Sequence, residues 1–288
     1  MRALTFTNSQ SPIHDFFVEG VAEYLSRKKI TTKVVTTGTW DEREAALDAG
    51  AIDMGWICGA PYVKKIARGA PLELLAAPVM QAPRYQNRPV YFSDVVVRAD
   101  ARFQSFDDLR GARWAYNEKN SHSGYHVVRY FLATHNRNGN FFGRIIQAGA
   151  HQKAVAMLLR GAADAAALDS IVLEMLYETD AALKTRLRVI ETIGPSPMPP
   201  LVIGLHIPSA LREQIRNRLL NLNATPDGQK ILWRANMARL AQVNDADYDA
   251  IREMLRIAEP VSLSRRKSAA TPSGMAQRAS IKNRVGKI

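Results

Sequence analysis

Apolar and polar positions follow two alternating rhythms along the chain, short apolar runs and longer stretches with helical spacing. In the first ninety residues, the short runs predict strands at residues 4–7, 32–36, 52–57 and 72–79. Helical patterns separate these runs, and we expect Asp41 to cap one helix and Pro61 to occupy the first turn of another. Strands that alternate with helices are typical of α/β proteins.

The same rhythm begins again after a long predicted strand at residues 90–97. Further strands are predicted at residues 113–116, 163–168, 187–192 and 201–206. Helices are predicted at residues 105–109, 124–134, 152–160, 209–221, 225–237 and 245–257. A proline-rich break at residues 194–200 separates the last two strands.

Two α/β halves joined by long strands predict two lobes with a two-segment hinge. We assign residues 1–91 and 200–259 to lobe 1, residues 92–199 to lobe 2 and residues 260–288 to a tail. The last helices are expected to pack on lobe 1. A cleft between such lobes is a common place for a small ligand, and closure about hinge strands is a common motion. A single continuous α/β domain is the alternative.

The charge of the chain is concentrated at its end. The 288 residues carry a formal net charge of +12, but residues 260–288 hold seven basic residues and no acid. The remainder has 32 basic and 27 acidic residues, a net charge of +5. The tail is typical of a disordered, solvated terminus. It could also touch RNA or anionic lipid, but for the body of the protein we expect no nucleic-acid partner.

The single cysteine and the N-terminal residues exclude further classes of protein. Cys58 is the only cysteine, which excludes an intramolecular disulfide, and its apolar surroundings favour a buried small side chain over a catalytic thiol. No apolar run approaches the ~20 residues of a membrane helix. The sequence before the first strand has no apolar h-region, no cleavage site and no cysteine for a lipid anchor, so we expect no export signal in this chain.

The loop at residues 117–125 is the strongest candidate for a binding site. It joins a predicted strand to a predicted helix and contains Ser121, Ser123 and Gly124. A helix N-terminus has unpaired N–H groups and a partial positive charge, so it binds anions without a lysine or arginine. The hydroxyls would add donors, and glycine would let an oxyanion approach the backbone. The alternative is that one serine serves only as an N-cap.

Several segments in order carry a resemblance to a known family. They are residues 49–55, 91–97, 105–111, 121–125, 149–151 and 161–169. Together they resemble the phosphate, phosphite and phosphonate substrate-binding proteins of ABC transporters, which have the type II periplasmic-binding-protein fold. The resemblance covers most of residues 1–255. It implies an α/β protein of two lobes, with a ligand cleft between them and a two-strand hinge.

The resemblance also implies a set of ligand contacts. Ser121, Ser123 and the backbone of Gly124 match the family loop that holds phosphoryl oxygens. His122 stands where the family usually has serine or threonine, so one hydroxyl donor is missing and an imidazole could replace it.

The remaining contacts that the resemblance implies are two tyrosines, a histidine and an aspartate. Tyr62 and Tyr91 resemble pocket tyrosines, although both would also suit the core. His151 and Asp169 match the family's other polar contacts, at a helix start and a strand end. Asp169 beside an anion requires a shared proton or a donor on the ligand, and its alternative role is to cap a helix that begins near Ser170.

These observations favour a solute-binding protein without catalytic activity. Its ligand would be a small oxyanion, a phosphonate, phosphite or phosphate, captured in the interlobe cleft for ABC-type uptake, with an ABC permease as partner. No cofactor is expected, and although His122 and His126 have the spacing of metal ligands, no third ligand is evident, so no metal is expected either. The resemblance implies a periplasmic location, whereas the missing signal leaves the cytoplasm open. The alternatives are a cytosolic small-molecule sensor and an enzyme on the same fold; a single cysteine disfavours the iron- and cofactor-binding enzymes that share it.

Overall fold

The computed structural model describes residues 2–263, and the rest of the predicted basic tail lies outside the described residues. The strands are β1 (Leu4–Ser9), β2 (Thr32–Val34), β3 (Met54–Ile57), β4 (Leu72–Met80), β5 (Val90–Arg98), β6 (Arg113–Tyr116), β7 (Arg144–Gln147), β8 (Ala165–Asp169), β9 (Leu187–Pro197), β10 (Leu201–Gly204) and β11 (Met237–Ala241). The α-helices are α1 (Asp15–Arg27), α2 (Trp40–Asp48), α3 (Gly59–Ala67), α4 (Val127–Thr134), α5 (His151–Leu159), α6 (Ser170–Thr179), α7 (Leu183–Arg186), α8 (Ser209–Leu220), α9 (Pro226–Arg234) and α10 (Asp249–Ala258). A π-helical turn, His122–His126, leads into α4.

The strands form two sheets, each at the centre of one lobe. The first has the order β11-β4-β10-β3-β1-β2, and the second has the order β7-β6-β8-β5-β9. We call the elements around them the first and second lobes. Both sheets are mixed. In the first, β1 pairs in parallel with β2 and β3 whereas β10 is antiparallel to β3 and β4. In the second, β6 pairs in parallel with β7 and β8 whereas β5 is antiparallel to β8 and β9. This is the two-sheet α/β architecture that the sequence predicted.

The chain crosses between the sheets twice, after β4 and after β9. The two crossovers lie side by side, because the Met198 N–H donates to the Pro89 carbonyl oxygen at 2.9 Å. This pair of adjacent segments is where a hinge between the lobes was expected. The exact lobe boundaries stay a prediction.

The last helices differ from the expectation in one respect. Helices α8 and α9 pack on the first lobe, against β4 and α1, as predicted. Helix α10 instead packs against α3 of the first lobe and α4 of the second. Its side chains explain this, because Ile251 belongs to a first-lobe apolar cluster while Met254 packs against the second-lobe core.

Some predicted elements change at their ends. The cap of α2 is Thr39 and not Asp41, because Thr39 and Glu42 form a reciprocal capping box. The helix predicted at 225–237 ends at Arg234, since Asn236 adopts a left-handed conformation (φ +55°), and Met237 then begins strand β11. Strand β7 was not predicted; its polar ends suit an exposed sheet edge. Within residues 2–263, no helix is both long enough and apolar enough to cross a membrane.

Candidate functional site

A cleft of about 360 Å³ lies between the lobes. Its walls form where β1, β6 and β8 end and polar turns follow. Ligand sites in α/β proteins occur at these carboxyl ends of strands, because helices begin there and direct their free N–H groups outward. Of the residues proposed from the sequence, four line the cleft: Ser121, Ser123, His151 and Asp169.

The two serines are held in place by the turn that follows β6. The Ser121 hydroxyl accepts a hydrogen bond from the Gly124 N–H at 3.1 Å, and the two serine hydroxyl oxygens are 3.5 Å apart. Ser121 is therefore an N-cap as well as a cleft residue. A Cβ at Gly124 would lie 1.9 Å from Oδ1 of Asn117, so any larger residue here would require the Asn117 side chain to move. The Gly124 N–H is occupied by the cap, and Gly124 does not line the cleft.

His151 begins α5 and faces both the serine turn and the cleft. Its Nε2 lies 3.3 Å from the Ser123 hydroxyl and 3.2 Å from the Asn117 amide nitrogen. Burial lowers the pKa of His151 to about 4, so the ring is neutral at physiological pH. Because the Asn117 amide donates to Nε2, the proton is on Nδ1, a buried atom with no partner among the described residues. His151 is thus a neutral ring whose Nε2 contacts the serine turn.

The first turn of α5 adds further donors. Its N-cap, Ala150, has no side chain that could accept from the free backbone N–H groups. These groups lie at the cleft, since Ala150, His151, Gln152 and Lys153 all line it. A helix N-terminus of this kind favours an anion.

Asp169 ends β8 and caps α6. Its carboxylate accepts from the Ile171 N–H at 3.0 Å. Burial raises the pKa of Asp169 to about 7, and the charges of Asp94 and Glu174 add to this effect. The carboxyl is therefore partly protonated near neutral pH, so it can share a proton with a bound oxyanion.

Besides Gly124, three predicted contacts lie outside the cleft lining. The Tyr62 phenol donates to the Asp245 carboxylate at 2.8 Å, and its ring packs 4.8 Å from that of Tyr248. The side chain of His122 is fully buried and contacts the Ser196 hydroxyl through Nε2 at 3.0 Å. Tyr91 is also buried, and its hydroxyl has no partner among the described residues.

These placements separate Tyr91 from the other two residues. The pKa of Tyr91 is raised by burial and by the nearby thiol of Cys58 and carboxyl of Asp169. Both of these residues line the cleft, so the Tyr91 phenol lies close to the cleft lining. Tyr62 and His122 already have polar partners elsewhere: Asp245, shortly before α10, and Ser196, on β9. We therefore leave these two out of the site proposed below.

The first-lobe wall was missed by the sequence analysis. It includes the end of β1, the turn that follows it and one face of α2: Asn8, Ser9, Gln10, Ser11, Trp40 and Arg43. The polar run after the first strand was a visible signal, but nothing in the sequence showed that it faces the serine turn more than 100 residues later. The Gln152 amide donates to the Ser11 hydroxyl at 2.8 Å and so joins the two walls.

A metal centre has no support among the described residues. No three of their histidine, cysteine, aspartate and glutamate side chains gather as a ligand set. His122 and His126 do not face a common site. His122 contacts Ser196, whereas His126 contacts the Lys64 amine at 2.9 Å and the Arg129 guanidinium at 3.2 Å.

A family model matches most of the described chain. It is the model for periplasmic substrate-binding proteins of phosphonate ABC transporters, and it matches residues 13–248.

Solved structures of similar proteins share the fold. A binding protein component of an ABC phosphonate transporter from Pseudomonas aeruginosa has a TM-score of 0.79 at 18% identity, over 89% of this chain and 86% of that chain. PhnD1 from Prochlorococcus marinus, solved in complex with methylphosphonate, has a TM-score of 0.79 at 17% identity, over 90% and 99%. The aliphatic sulphonate binding protein SsuA from Escherichia coli has a TM-score of 0.59 at 16% identity, over 100% and 97%.

Proposed function

The chain belongs to the phosphonate family of ABC-transporter periplasmic substrate-binding proteins, and we propose that it captures a phosphonate between its two lobes. The resemblance read from the sequence is thereby confirmed, as is the type II binding-protein fold. The family is one of transport proteins, which does not favour the sensor and enzyme alternatives. Phosphite and phosphate are the related ligands against which a phosphonate must be compared.

One observation carries the proposal: neutral donors converge at one end of the cleft. The Ser121 and Ser123 hydroxyls, the neutral ring of His151 and the first turn of α5 meet there. Neutral donors and a helix dipole bind an oxyanion without the tight ion pairs that slow its release. We assign the phosphoryl oxygens to this end.

Asp169 and Tyr91 complete the proposed phosphoryl site. A carboxylate repels a phosphonate dianion, whereas a single proton shared between Asp169 and a phosphoryl oxygen makes a short, charge-assisted hydrogen bond. The raised pKa of Asp169, caused by burial, keeps that proton available near pH 7. The Tyr91 phenol, close to the cleft lining, is a further donor.

Capture follows from the position of the cleft between two lobes. One wall comes from β1 and α2 and the other from the turn after β6 and the start of α5, so a bound ligand contacts both lobes. Closure about the paired crossovers would exclude water and present a closed form to an ABC permease. Family membership supports a periplasmic location and a permease partner, and both are part of the proposal.

Thermal unfolding of the purified full chain tests the proposal directly. The ligands are methylphosphonate, 2-aminoethylphosphonate, phosphite, phosphate, sulfate and taurine, each at several concentrations. A ligand at 100 times its Kd should stabilise the fold by ~2.7 kcal/mol, which raises the Tm by several degrees. We expect the phosphonates to give the largest shift. A larger shift with sulfate or taurine, or none with any ligand, would overturn the proposal.

A further inference from the structure

The first-lobe wall of the cleft holds polar atoms that the phosphoryl site leaves unused. The Gln10 amide nitrogen and Nε of Arg43 are both buried, and neither has a hydrogen-bond partner among the described residues. Both residues line the cleft. Buried donors without partners are rare in folded proteins, and in a cleft they indicate where a ligand or an ordered water completes the bonding.

The guanidinium of Arg43 is fixed before any ligand arrives. Its Nη1 donates to the Gly38 carbonyl at 2.6 Å, and its Nη2 donates to the Asn8 carbonyl at 3.3 Å. These bonds tie α2 to the end of β1, next to Gln10. All of the hydrogen bonds of Arg43 to other described residues run to backbone carbonyls, so no described carboxylate is hydrogen-bonded to it.

The other cation in the cleft lining is different. Lys153, on the second lobe, lies near the Glu118 carboxyl. Burial raises the pKa of Glu118, and the positive charge of Lys153 opposes this rise. On the first lobe, the Asp15 carboxylate accepts from the Asn8 amide at 2.7 Å and is not an ion-pair partner of Arg43. The arginine therefore brings to the wall opposite the serines a positive charge that has no ion-pair partner among the described residues.

The cleft is also larger than the phosphoryl site alone requires. Its volume of about 360 Å³ equals that of roughly twelve water molecules at ~30 Å³ each. A methylphosphonate, whose organic part is one methyl group, would occupy only a small share of this space. A longer organic group would extend from the serine turn toward the first-lobe wall.

On the basis of the proposed function, we infer that the preferred ligand is a phosphonate whose organic group ends in a carboxylate, and that Gln10 and Arg43 bind this carboxylate. A guanidinium presents its donors in a plane that matches the two oxygens of a carboxylate, and an amide N–H can add a third bond. The ligand would then span the lobes, with its phosphoryl group on the second and its carboxylate on the first. A ligand that ends in an ammonium group would be repelled by Arg43.

Calorimetry with the full chain and three ligands of matched length tests this inference. The ligands are 3-phosphonopropionate, propylphosphonate and 2-aminoethylphosphonate, which end in an anionic, a neutral and a cationic group. We expect the carboxylate ligand to bind about tenfold or more tightly than the neutral one, and the ammonium ligand to bind most weakly. Equal or tighter binding of the neutral or ammonium ligand overturns the inference.

Variants locate the effect. Arg43→Gln and Gln10→Ala should each reduce the affinity ratio of 3-phosphonopropionate to propylphosphonate, the arginine variant by about tenfold, whereas Arg43→Lys should retain part of the ratio. Arg68→Gln removes the same charge from an exposed position at the end of α3 and should leave the ratio as it is. Thermal unfolding checks that each variant is folded.

The outcomes separate this inference from the proposed function. If no phosphonate binds the wild-type chain, both fail. If propylphosphonate binds but the carboxylate gives no advantage, or if the ratio survives in both Arg43→Gln and Gln10→Ala, only the inference fails.

Discussion

The amide of Gln152 donates to the hydroxyl of Ser11 at 2.8 Å, a bond that joins the second lobe to the first across the ligand cleft. The two residues are the start of α5 and the N-cap of the turn before α1. Each residue therefore lies at a helix N-terminus, and the bond holds these two N-termini next to each other at the cleft. Its strength should influence how readily the lobes separate.

Gln152→Ala should weaken ligand binding by about two- to tenfold, since a hydrogen bond of this kind contributes ~0.5–1.5 kcal/mol. The loss should lie in the dissociation rate, because the bond holds the lobes together after the ligand has entered. Stopped-flow and calorimetric measurements with methylphosphonate check this. Gln229→Ala, which removes an exposed amide on α9, is the control. An unchanged dissociation rate in Gln152→Ala would contradict the prediction.

Ser123→Ala should weaken methylphosphonate binding by about ten- to hundredfold, because a hydrogen bond to a charged group contributes ~1.5–3 kcal/mol. The hydroxyl of Ser123 lies between the Ser121 hydroxyl and Nε2 of His151, so its loss leaves a gap in the donor set. Ser105→Ala removes an exposed hydroxyl from the same lobe and serves as the control. Equal affinities for the two variants would remove Ser123 from the site.

Asp169 should make binding depend on pH. Burial raises its pKa to about 7, so the carboxyl loses its proton as the pH rises through 7 and the resulting charge repels the anion. Affinity for methylphosphonate should therefore fall above pH 7. In Asp169→Asn only the titration of the ligand remains, and the fall should be shallower. Calorimetry between pH 5.5 and 8.5 measures both slopes, and parallel slopes would show that Asp169 does not share the proton.

His14 should make the fold sensitive to acid. The ring is fully buried, neither nitrogen has a partner among the described residues, and burial lowers its pKa to about 4. The unfolded chain takes up a proton near pH 6.5 and the folded chain only near 4, so stability is lost as the pH falls between these values. At pH 5 the loss from this residue is about 2 kcal/mol.

Replacement of His14 by phenylalanine should flatten that part of the pH dependence. The ring would keep its apolar contact with Trp56, whose centroid lies 5.6 Å from that of His14. Urea unfolding at pH 7 and pH 5 gives the two free energies of unfolding. His135→Phe, at an exposed position on the second lobe, is the control. If His14→Phe loses as much stability as wild type between pH 7 and 5, other groups govern acid unfolding.

The sequence predicted the half of the proposed site that belongs to one local motif. Ser121 and Ser123 follow a strand and precede a helix within a few residues, a spacing that suits either an anion-binding turn or a helix cap, and the family resemblance favours the first. Asp169 was implied by the family resemblance, and its position directly after a buried strand agrees with that role.

The opposite wall could not be predicted, because tertiary packing brings it to the site. Gln10 and Arg43 come from a turn and a helix whose local patterns are those of any polar surface, and only the fold places them across from Ser123. His122 shows the converse: its neighbours in sequence face the cleft, but the π-helical turn directs its ring into the core toward Ser196.

Helix α10 gives the two lobes a third connection besides the paired crossovers. Because it packs on both α3 and α4, on the side of the molecule where the Arg129 guanidinium donates to the Ala258 carbonyl, the lobes cannot separate freely there. We therefore expect the lobes to rotate about an axis near α10, with a displacement that grows with distance from it. A pair of fluorophores intended to report ligand capture would give its largest signal across the cleft mouth, for example between the exposed ends of α2 and α5, and little signal beside α10.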